Sequence, residues 1–449
     1  MIFRIALGLI GLGIVVLVHE LGHFIAARLT GIDVEAFSIG WGKPILKKKI
    51  GNVEYRLGMF PAGGYCKMRG ENEYKSGEDG KQVEYPKGHY LAASPLSRII
   101  VAFMGPFANL VFAILVLSVI WGLGFETQTL ENRIALLSTA NSGTVYPADL
   151  AGLQTGDRII EINGRKISNW GDLRENIAIN AEVLLPIKVE RSGRIIDLEI
   201  RPDLDKSSGA GVIGVLNWTD PVIGSVVQGS PAYYADLRGG DRILKINGVD
   251  FPYTNSAISF NEYTPNLLVI EFQRDNSILQ TLLYIPETAE GNSGLGIHWE
   301  TVELVYPRLN PIAALVKGAE ETWRTFTVSV RSLSLLFRGI DLTQAVSGPV
   351  RITYMMGDVA ADGFSQSLGM GISSMSNFLA LISIALCIMN LLPLPILDGG
   401  MIILCIVEAI RRKPLHPKTV YVFQTVGVVI IFGLMVFALF GDILFLARR

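Results

Sequence analysis

The sequence predicts a multi-pass α-helical membrane protein: four transmembrane helices, a membrane-associated β-hairpin or small sheet, and a two-copy α+β insert. Three observations predict it. Half of the 449 residues are hydrophobic and the mean hydropathy is +0.39, too high for an ordinary soluble chain. Four stretches, 3–27, 98–124, 374–396 and 420–446, are long and apolar enough to span or nearly span a bilayer. Between the second and third, one sequence pattern occurs twice.

The first apolar stretch has Arg4 followed by an unbroken run of apolar residues and glycine from Ile5 to Val18. No small-x-small cleavage site follows it, so the expectation is a retained helix and not a signal peptide. At its inner end lies Val18-His19-Glu20-Leu21-Gly22-His23-Phe24. On a helix the four-residue step puts His19 and His23 on one face, where two imidazoles can hold one zinc ion. Glu20 beside them is placed to take a proton from a zinc-held water attacking a carbonyl. Such a motif in a soluble helix can be an exposed polar turn. Here it is carried to hydrocarbon, where an unpaired ionisable group costs at least about 2.5 kcal/mol, and a metal is the obvious partner.

Composition narrows the remaining classes. A net charge of -2 provides no basic field for nucleic acid, and Cys66, Cys387 and Cys405 are too widely spaced for a thiolate metal site. Any zinc must therefore use histidine and carboxylate. Lys and Arg crowd the loop after the first helix (Arg28, Lys43, Lys47, Lys48, Lys49, with Arg98 opening the second) and the loop before the fourth (Arg411, Arg412, Lys413, Lys418). Both loops are expected on the cytoplasmic side, with the large insert outside, although Arg448 and Arg449 run against that bias.

Residues 49–70 alternate like a hairpin around a Pro61-Ala62-Gly63-Gly64 turn leading into Tyr65. Its edge could pair with an extended peptide, or the hairpin could simply cover the cytoplasmic mouth. Residues 71–90 are polar and read as a loop. In the second helix, Pro106 is expected to kink the backbone, and Asn109 to hydrogen-bond a neighbouring helix or a ligand. From Asn310 to Phe337, apolar residues recur at helical spacing, predicting an interfacial helix or an amphipathic core helix. The stretch 347–352 is too short to assign.

The third apolar stretch is interrupted by Pro393, Pro395 and Asp398, within Asn390-Leu391-Leu392-Pro393-Leu394-Pro395-Ile396-Leu397-Asp398-Gly399-Gly400. A broken helix at membrane depth is tolerated only where protein or water surrounds it. Asp398 supplies the third protein ligand a catalytic zinc requires, or caps the helix that follows. Asn390 can donate its amide to a substrate carbonyl or oxyanion.

In the insert, the pattern Tyr146-Pro147-Ala148 to Gly156-Asp157-Arg158-Ile159 and Ile162-Asn163-Gly164 returns as Ser230-Pro231-Ala232 to Gly240-Asp241-Arg242-Ile243 and Ile246-Asn247-Gly248. Each copy reads as a short helix, a Gly-Asp turn, a strand and an Asn-Gly turn. This resembles a tandem pair of PDZ domains. Without a Gly-Leu-Gly-Phe carboxylate loop, the copies are expected to shield more than to capture peptides. The expected division is 1–30, 31–97, 98–124, PDZ copies at 125–215 and 216–305, a connector at 306–373, then 374–412 and 413–449.

His19-Glu20-x-x-His23, Gly105-Pro106-x-x-Asn109 and Asn390-x-x-Pro393-x-Pro395-x-x-Asp398-Gly399 jointly resemble the site-2 protease family of intramembrane zinc metalloproteases, over essentially the whole chain. The resemblance implies Zn2+ held by His19, His23 and Asp398, with Glu20 as the catalytic base. Asn390, Pro393, Pro395, Gly63, Gly64 and Tyr65 are implied to contact substrate. It further implies a bacterial inner-membrane location, with PDZ domains in the periplasm and the site toward the cytoplasm. The implied partners are a pre-trimmed single-pass transmembrane anti-sigma factor, signal peptide remnants and membrane lipid, with the PDZ pair as a size filter. A PDZ adaptor without proteolytic activity is the rival reading. A transporter is disfavoured because no inverted repeat is visible.

Overall fold

Long apolar runs in lipid must satisfy every backbone polar group internally, and here they do so as helices. The computed structural model describes residues 2–71, 73, 85–139, 143–206, 208–254, 267–284, 295–335, 348–366 and 368–447. The charged loop expected at 71–90 falls largely on 72 and 74–84, outside the described residues, as do Leu336, Phe337, Arg448 and Arg449. The chain divides into two compact units, one comprising residues 1–126, 305–334 and 341–449, the other centred on Thr127–Leu304.

The first unit contains α1 (Ile2–Leu29), α2 (Pro95–Leu123), α3 (Pro311–Leu335), α4 (Pro349–Gln366), α5 (Leu368–Leu391), α6 (Asp398–Arg411) and α7 (Pro417–Ala447). Among the described residues, four segments are long and apolar enough to cross a membrane: Leu7–Leu29, Pro95–Leu123, Leu368–Leu391 and Pro417–Ile443. Helix α2 starts at Pro95 behind Ser94, whose hydroxyl accepts from the Ser97 N–H at 3.1 Å, and stays helical through Pro106 to Gly124. Helix α5 ends at Leu391, because residues preceding a proline avoid the helical region and Pro393 and Pro395 supply no N–H. A six-residue connection then leads to α6. Asp398 is the first residue of α6, behind Leu397 at the cap position, so the capping role considered for Asp398 is not the one it takes.

The segment before α2 departs from the expected hairpin. Strand β1 (Val34–Ile50) and strand β2 (Val53–Met68) are joined at Gly51-Asn52, not at Pro61–Gly64. Residues 36–39 pair both with 54–57 and with 64–67, and 46–50 pair with 53–57, so the two long bent strands form one sheet in which 64–67 is an outer edge. The pairing steps from Trp41–Phe60 to Ile39–Gly64, leaving 61–63 as a bulge inside β2. Gly63, at φ 114°, sits where the Trp41 indole occupies the space of a side chain. The sheet packs on α1 through Phe37, Val53, Cys66 and Met68 against Ala26 and Ala27.

Two helix junctions rest on buried polar groups and a third on apolar packing. Arg98 in the first turn of α2 is paired with Glu408 near the end of α6, both only 6% exposed, and Glu408 also accepts from the Leu415 N–H at 2.9 Å. Asp442 in α7, 2% exposed, accepts from the N–H groups of Gly348, Val350 and Arg351 at 2.9, 3.0 and 3.3 Å, which caps α4 from another helix. That assigns a place to the 348–352 stretch. Helix α3 packs Phe326 and Leu333 on Ala113, Leu117, Ala380 and Ile384 of α2 and α5, leaving Ile312, Leu315 and Trp323 exposed. It is thus an amphipathic helix with one face on the helical core.

The second unit contains two four-stranded sheets of the same order. One runs β4–β3–β5–β6, from β3 (Arg158–Ile162), β4 (Arg165–Lys166), β5 (Leu185–Arg191) and β6 (Arg194–Ile200). The other runs β8–β7–β9–β10, from β7 (Arg242–Ile246), β8 (Val249–Asp250), β9 (Leu267–Arg274) and β10 (Ser277–Tyr284). The repeated Gly-Asp turn has the same physics in both. Asp157 accepts from the Gln154 N–H and a bidentate Arg191; Asp241 accepts from the Arg238 N–H and a bidentate Arg274. Both carboxylates are essentially buried.

Removing one partner of a buried pair strands a charge, at about 3–5 kcal/mol. Glu408→Ala is therefore expected to lower the unfolding free energy of the detergent-solubilised protein by about 3 kcal/mol, and the double variant Arg98→Met/Glu408→Met to recover most of it. A denaturant series checks this, and equal losses in the two variants contradict it. Asp241→Ala is expected to speed amide exchange throughout β7–β10 while β3–β6 keep their protection, read by hydrogen exchange with mass spectrometry.

Candidate active site

Helix α1 delivers His19, Glu20 and His23 to one place because its helical turn brings the histidines onto one face. Both rings are buried, at 8% and 7% exposure, and meet edge to face with centroids 4.7 Å apart. Glycine lets neighbouring elements come this close. A Cβ on Gly22 would lie 2.2 Å from the Met104 carbonyl oxygen, and one on Gly105 would lie 2.3 Å from His23 Nε2 and 2.9 Å from His19 Cε1. Helices α1 and α2 can therefore touch only with glycine at both positions.

The carboxylate arrives from the far end of the chain. Asp398 Oδ2 is 3.3 Å from His19 Nε2, Asp398 Oδ1 is 3.4 Å from His23 Nε2, and the two Nε2 atoms are 3.1 Å apart. Ligands held 2.0–2.1 Å from a tetrahedral zinc lie roughly 3.3–3.4 Å from one another; here the two histidines and the carboxylate each offer one atom within 4.8 Å of the others, a spacing that can close on a shared ion. Asp398 Oδ2 is buried without a hydrogen-bond donor of its own. Among the described residues this is the one cluster of three His, Cys, Asp or Glu side chains placed to share a metal ion. The donor set of two imidazoles and one carboxylate, leaving a fourth position open, suits a catalytic zinc.

The loop before Asp398 is built tightly. Ile396 holds a φ of 78°, a left-handed conformation that a β-branched residue adopts only under constraint. Side chains at Gly399 and Gly400 would strike the carbonyl oxygens of Leu391, Leu392 and Leu394, and one at Gly427 of α7 would strike Pro395. Pro393 and Pro395 thus lie in the connection that fixes Asp398.

Other expected site residues fall in two groups. Asn390 Nδ2 lies 3.4 Å from His19 Nε2, Asn109 Nδ2 lies 3.5 Å from His19 Nδ1, and Gly64 brings β2 against the Glu20 side chain. The Cys66 backbone N–H faces the Glu20 carboxylate. Tyr65 points elsewhere: its hydroxyl accepts from Arg56 at 2.9 Å and its ring lies beside Trp41. Gly63 lies under Trp41, and Pro106 sits in α2 next to Gly105.

Two participants carry little sequence signal. The Val101 carbonyl accepts from His23 Nδ1 at 2.8 Å, next to the Ala102 carbonyl that Pro106 leaves without a helical donor. Glu71, just past β2, has the charges of His23, Glu20 and Asp398 as neighbours, and burial holds its carboxyl above the usual range.

The model of Peptidase family M50 matches residues 7–434. A Treponema pallidum protein named "Putative zinc metalloprotease" is 36% identical over 446 residues, covering 99% of each chain. The Haemophilus influenzae "Regulator of sigma E protease" is 30% identical over 455 residues, and the Escherichia coli "Regulator of sigma-E protease RseP" is 29% identical over 461, each match covering 97% of both chains. Likeness of this extent runs from the histidine pair in the first helix past the aspartate that meets it, and the chain therefore belongs to peptidase family M50 and is a metalloprotease.

Proposed function

We propose that this metalloprotease is a zinc-dependent intramembrane endopeptidase, with His19, His23 and Asp398 as metal ligands and Glu20 as the catalytic base. The observation that carries the reading is the convergence of the two Nε2 atoms, 3.1 Å apart, with the Asp398 carboxylate, one oxygen 3.3 Å from His19 and the other 3.4 Å from His23. Zinc, when bound, supplies Lewis acidity that polarises a peptide carbonyl and makes water nucleophilic near neutral pH. Glu20 then accepts a proton from the attacking water and returns it to the leaving amine nitrogen. Asn390 directs its amide N–H groups toward the peptide carbonyl and the oxyanion that develops there.

A transmembrane substrate enters as a helix whose amides are all internally bonded, so it must be drawn out into an extended chain before it is cut. The 63–66 edge of β2, held against Glu20 by Gly64, is suited to pair with that extended segment. In this reading Gly63, Gly64, Pro393 and Pro395 shape the groove for the substrate backbone. Tyr65 acts indirectly, by holding Arg56 and Trp41.

The substrate is the transmembrane segment of a single-pass anti-sigma factor already trimmed outside, together with remnant signal peptides. Two relatives named as regulators of sigma E support that class. The two repeated α+β modules read as PDZ domains on the periplasmic face of a bacterial inner membrane, where they exclude untrimmed substrates by size. Basic residues after α1 and between α6 and α7 support a site opening toward the cytoplasm.

Glu20→Gln is expected to keep zinc near one equivalent, by elemental mass spectrometry, and to slow cleavage of a model transmembrane peptide at least about a hundred-fold. Retained turnover in that variant removes Glu20 as the base. Asp398→Ala is expected to lose the metal, and so is the wild type after dialysis against a chelator, with activity returning on adding zinc. Full zinc content in Asp398→Ala overturns the ligand set.

A further inference from the structure

Asn109 lies in the middle of α2 with 0% exposure, and its Oδ1 has no hydrogen-bond partner. An uncompensated amide oxygen at membrane depth is costly, so its surroundings are informative. Its Nδ2 is 3.5 Å from His19 Nδ1, and its own backbone carbonyl accepts from the Ser383 hydroxyl at 2.9 Å, fixing this turn of α2 against α5.

His19 can offer Nε2 to a cation only as the neutral tautomer protonated on Nδ1. With the amide nitrogen toward the ring, a donor then faces a donor. The oxygen and nitrogen of a carboxamide have nearly the same shape, and only the hydrogen-bonding partners decide which faces where. Exchanging the two puts an acceptor opposite the Nδ1–H and gives the orphaned oxygen its partner.

We propose that Asn109 is the positioning residue of His19: its carbonyl oxygen accepts the Nδ1–H, fixing both the tautomer and the ring plane. His23 has the matching arrangement, with Nδ1 2.8 Å from the Val101 carbonyl. The two rings are thus oriented from one helix, through a backbone carbonyl five residues before Pro106 and a side-chain carbonyl three residues after it. Gly105 between them clears the space for both rings. This inference rests on the zinc reading of His19, His23 and Asp398.

The test is a zinc competition titration with a chromophoric chelator on the full-length protein in detergent, comparing wild type, Asn109→Leu, Asn109→Ala and Asn109→Asp. Loss of a partner that orients a metal-bound histidine costs about 10–100-fold in metal affinity, and that loss is expected for the leucine and alanine variants. The aspartate variant keeps an acceptor opposite Nδ1 and is expected to bind within a few-fold of wild type. Visible absorption of the cobalt-loaded forms reads the same geometry independently of activity, with wild-type bands in the aspartate variant and altered bands in the others. If leucine misfolds, alanine carries the comparison. Wild-type affinity in the alanine variant overturns the proposal, as does equal weakening in alanine and aspartate, which assigns Asn109 a packing role. A wild-type protein that binds no zinc refutes the zinc reading itself, a different outcome from either.

Discussion

The close approach of α1 and α2 governs the rest of the structure. Side-chain atoms at residues 22 and 105 would overlap the Met104 carbonyl and the histidine rings, so the two helices meet through glycine. Packing between small residues is a general means of helix association in lipid, where no hydrophobic drive separates one apolar surface from another. Here the same contact presses two imidazoles against a neighbouring backbone and removes them from lipid. The turn at Ile396 and Leu397 brings Asp398 to the two rings.

Among the described residues of the first unit, several buried polar groups meet a fixed partner on another element. Arg98 meets Glu408, Asp442 meets three N–H groups at the start of α4, Ser383 meets the Asn109 carbonyl, and His23 meets Val101. These contacts fix the helices at defined heights and rotations, which apolar packing does only loosely. Arg98–Glu408 and Asp398 occupy opposite ends of α6, so the pair sets the axis along which the aspartate is presented. Buried ion pairs of this kind contribute more to specifying an arrangement than to net stability.

The four apolar spans and the His-Glu-x-x-His step were legible because both depend on local order, a run of apolar residues and a helical period. Asp398 was legible for a less direct reason: two prolines and a charge in an apolar segment contradict a continuous helix. The Asp157–Arg191 and Asp241–Arg274 pairs were half visible, since the Gly-Asp turns repeat while the arginines lie some thirty residues on, at strand ends that share no motif. Asp442 is a single acid within a hydrophobic stretch of the sequence, and only the fold reveals the helix end it caps. The sheet misled the reading at Pro61–Gly64. Proline and two glycines signal a turn when neighbours are ignored, but here the Trp41 ring fills the place of a Gly63 side chain and the strand continues past a bulge. The Val101 carbonyl was invisible because a backbone acceptor has no residue type to betray it.

Pairing a sheet with the proposed metal centre follows from what peptide hydrolysis demands. A helix is a poor substrate because its carbonyls already accept hydrogen bonds and its backbone is wrapped in side chains. An extended strand exposes both, yet in apolar surroundings its amides need new partners at once. A sheet edge supplies those partners in a straight row, and a glycine facing Glu20, the proposed base, allows the row to lie close to it. The Gly64 backbone lies against both Glu20 and Ser38, so the strand proposed to receive substrate and the residue proposed to move the proton are held by one contact.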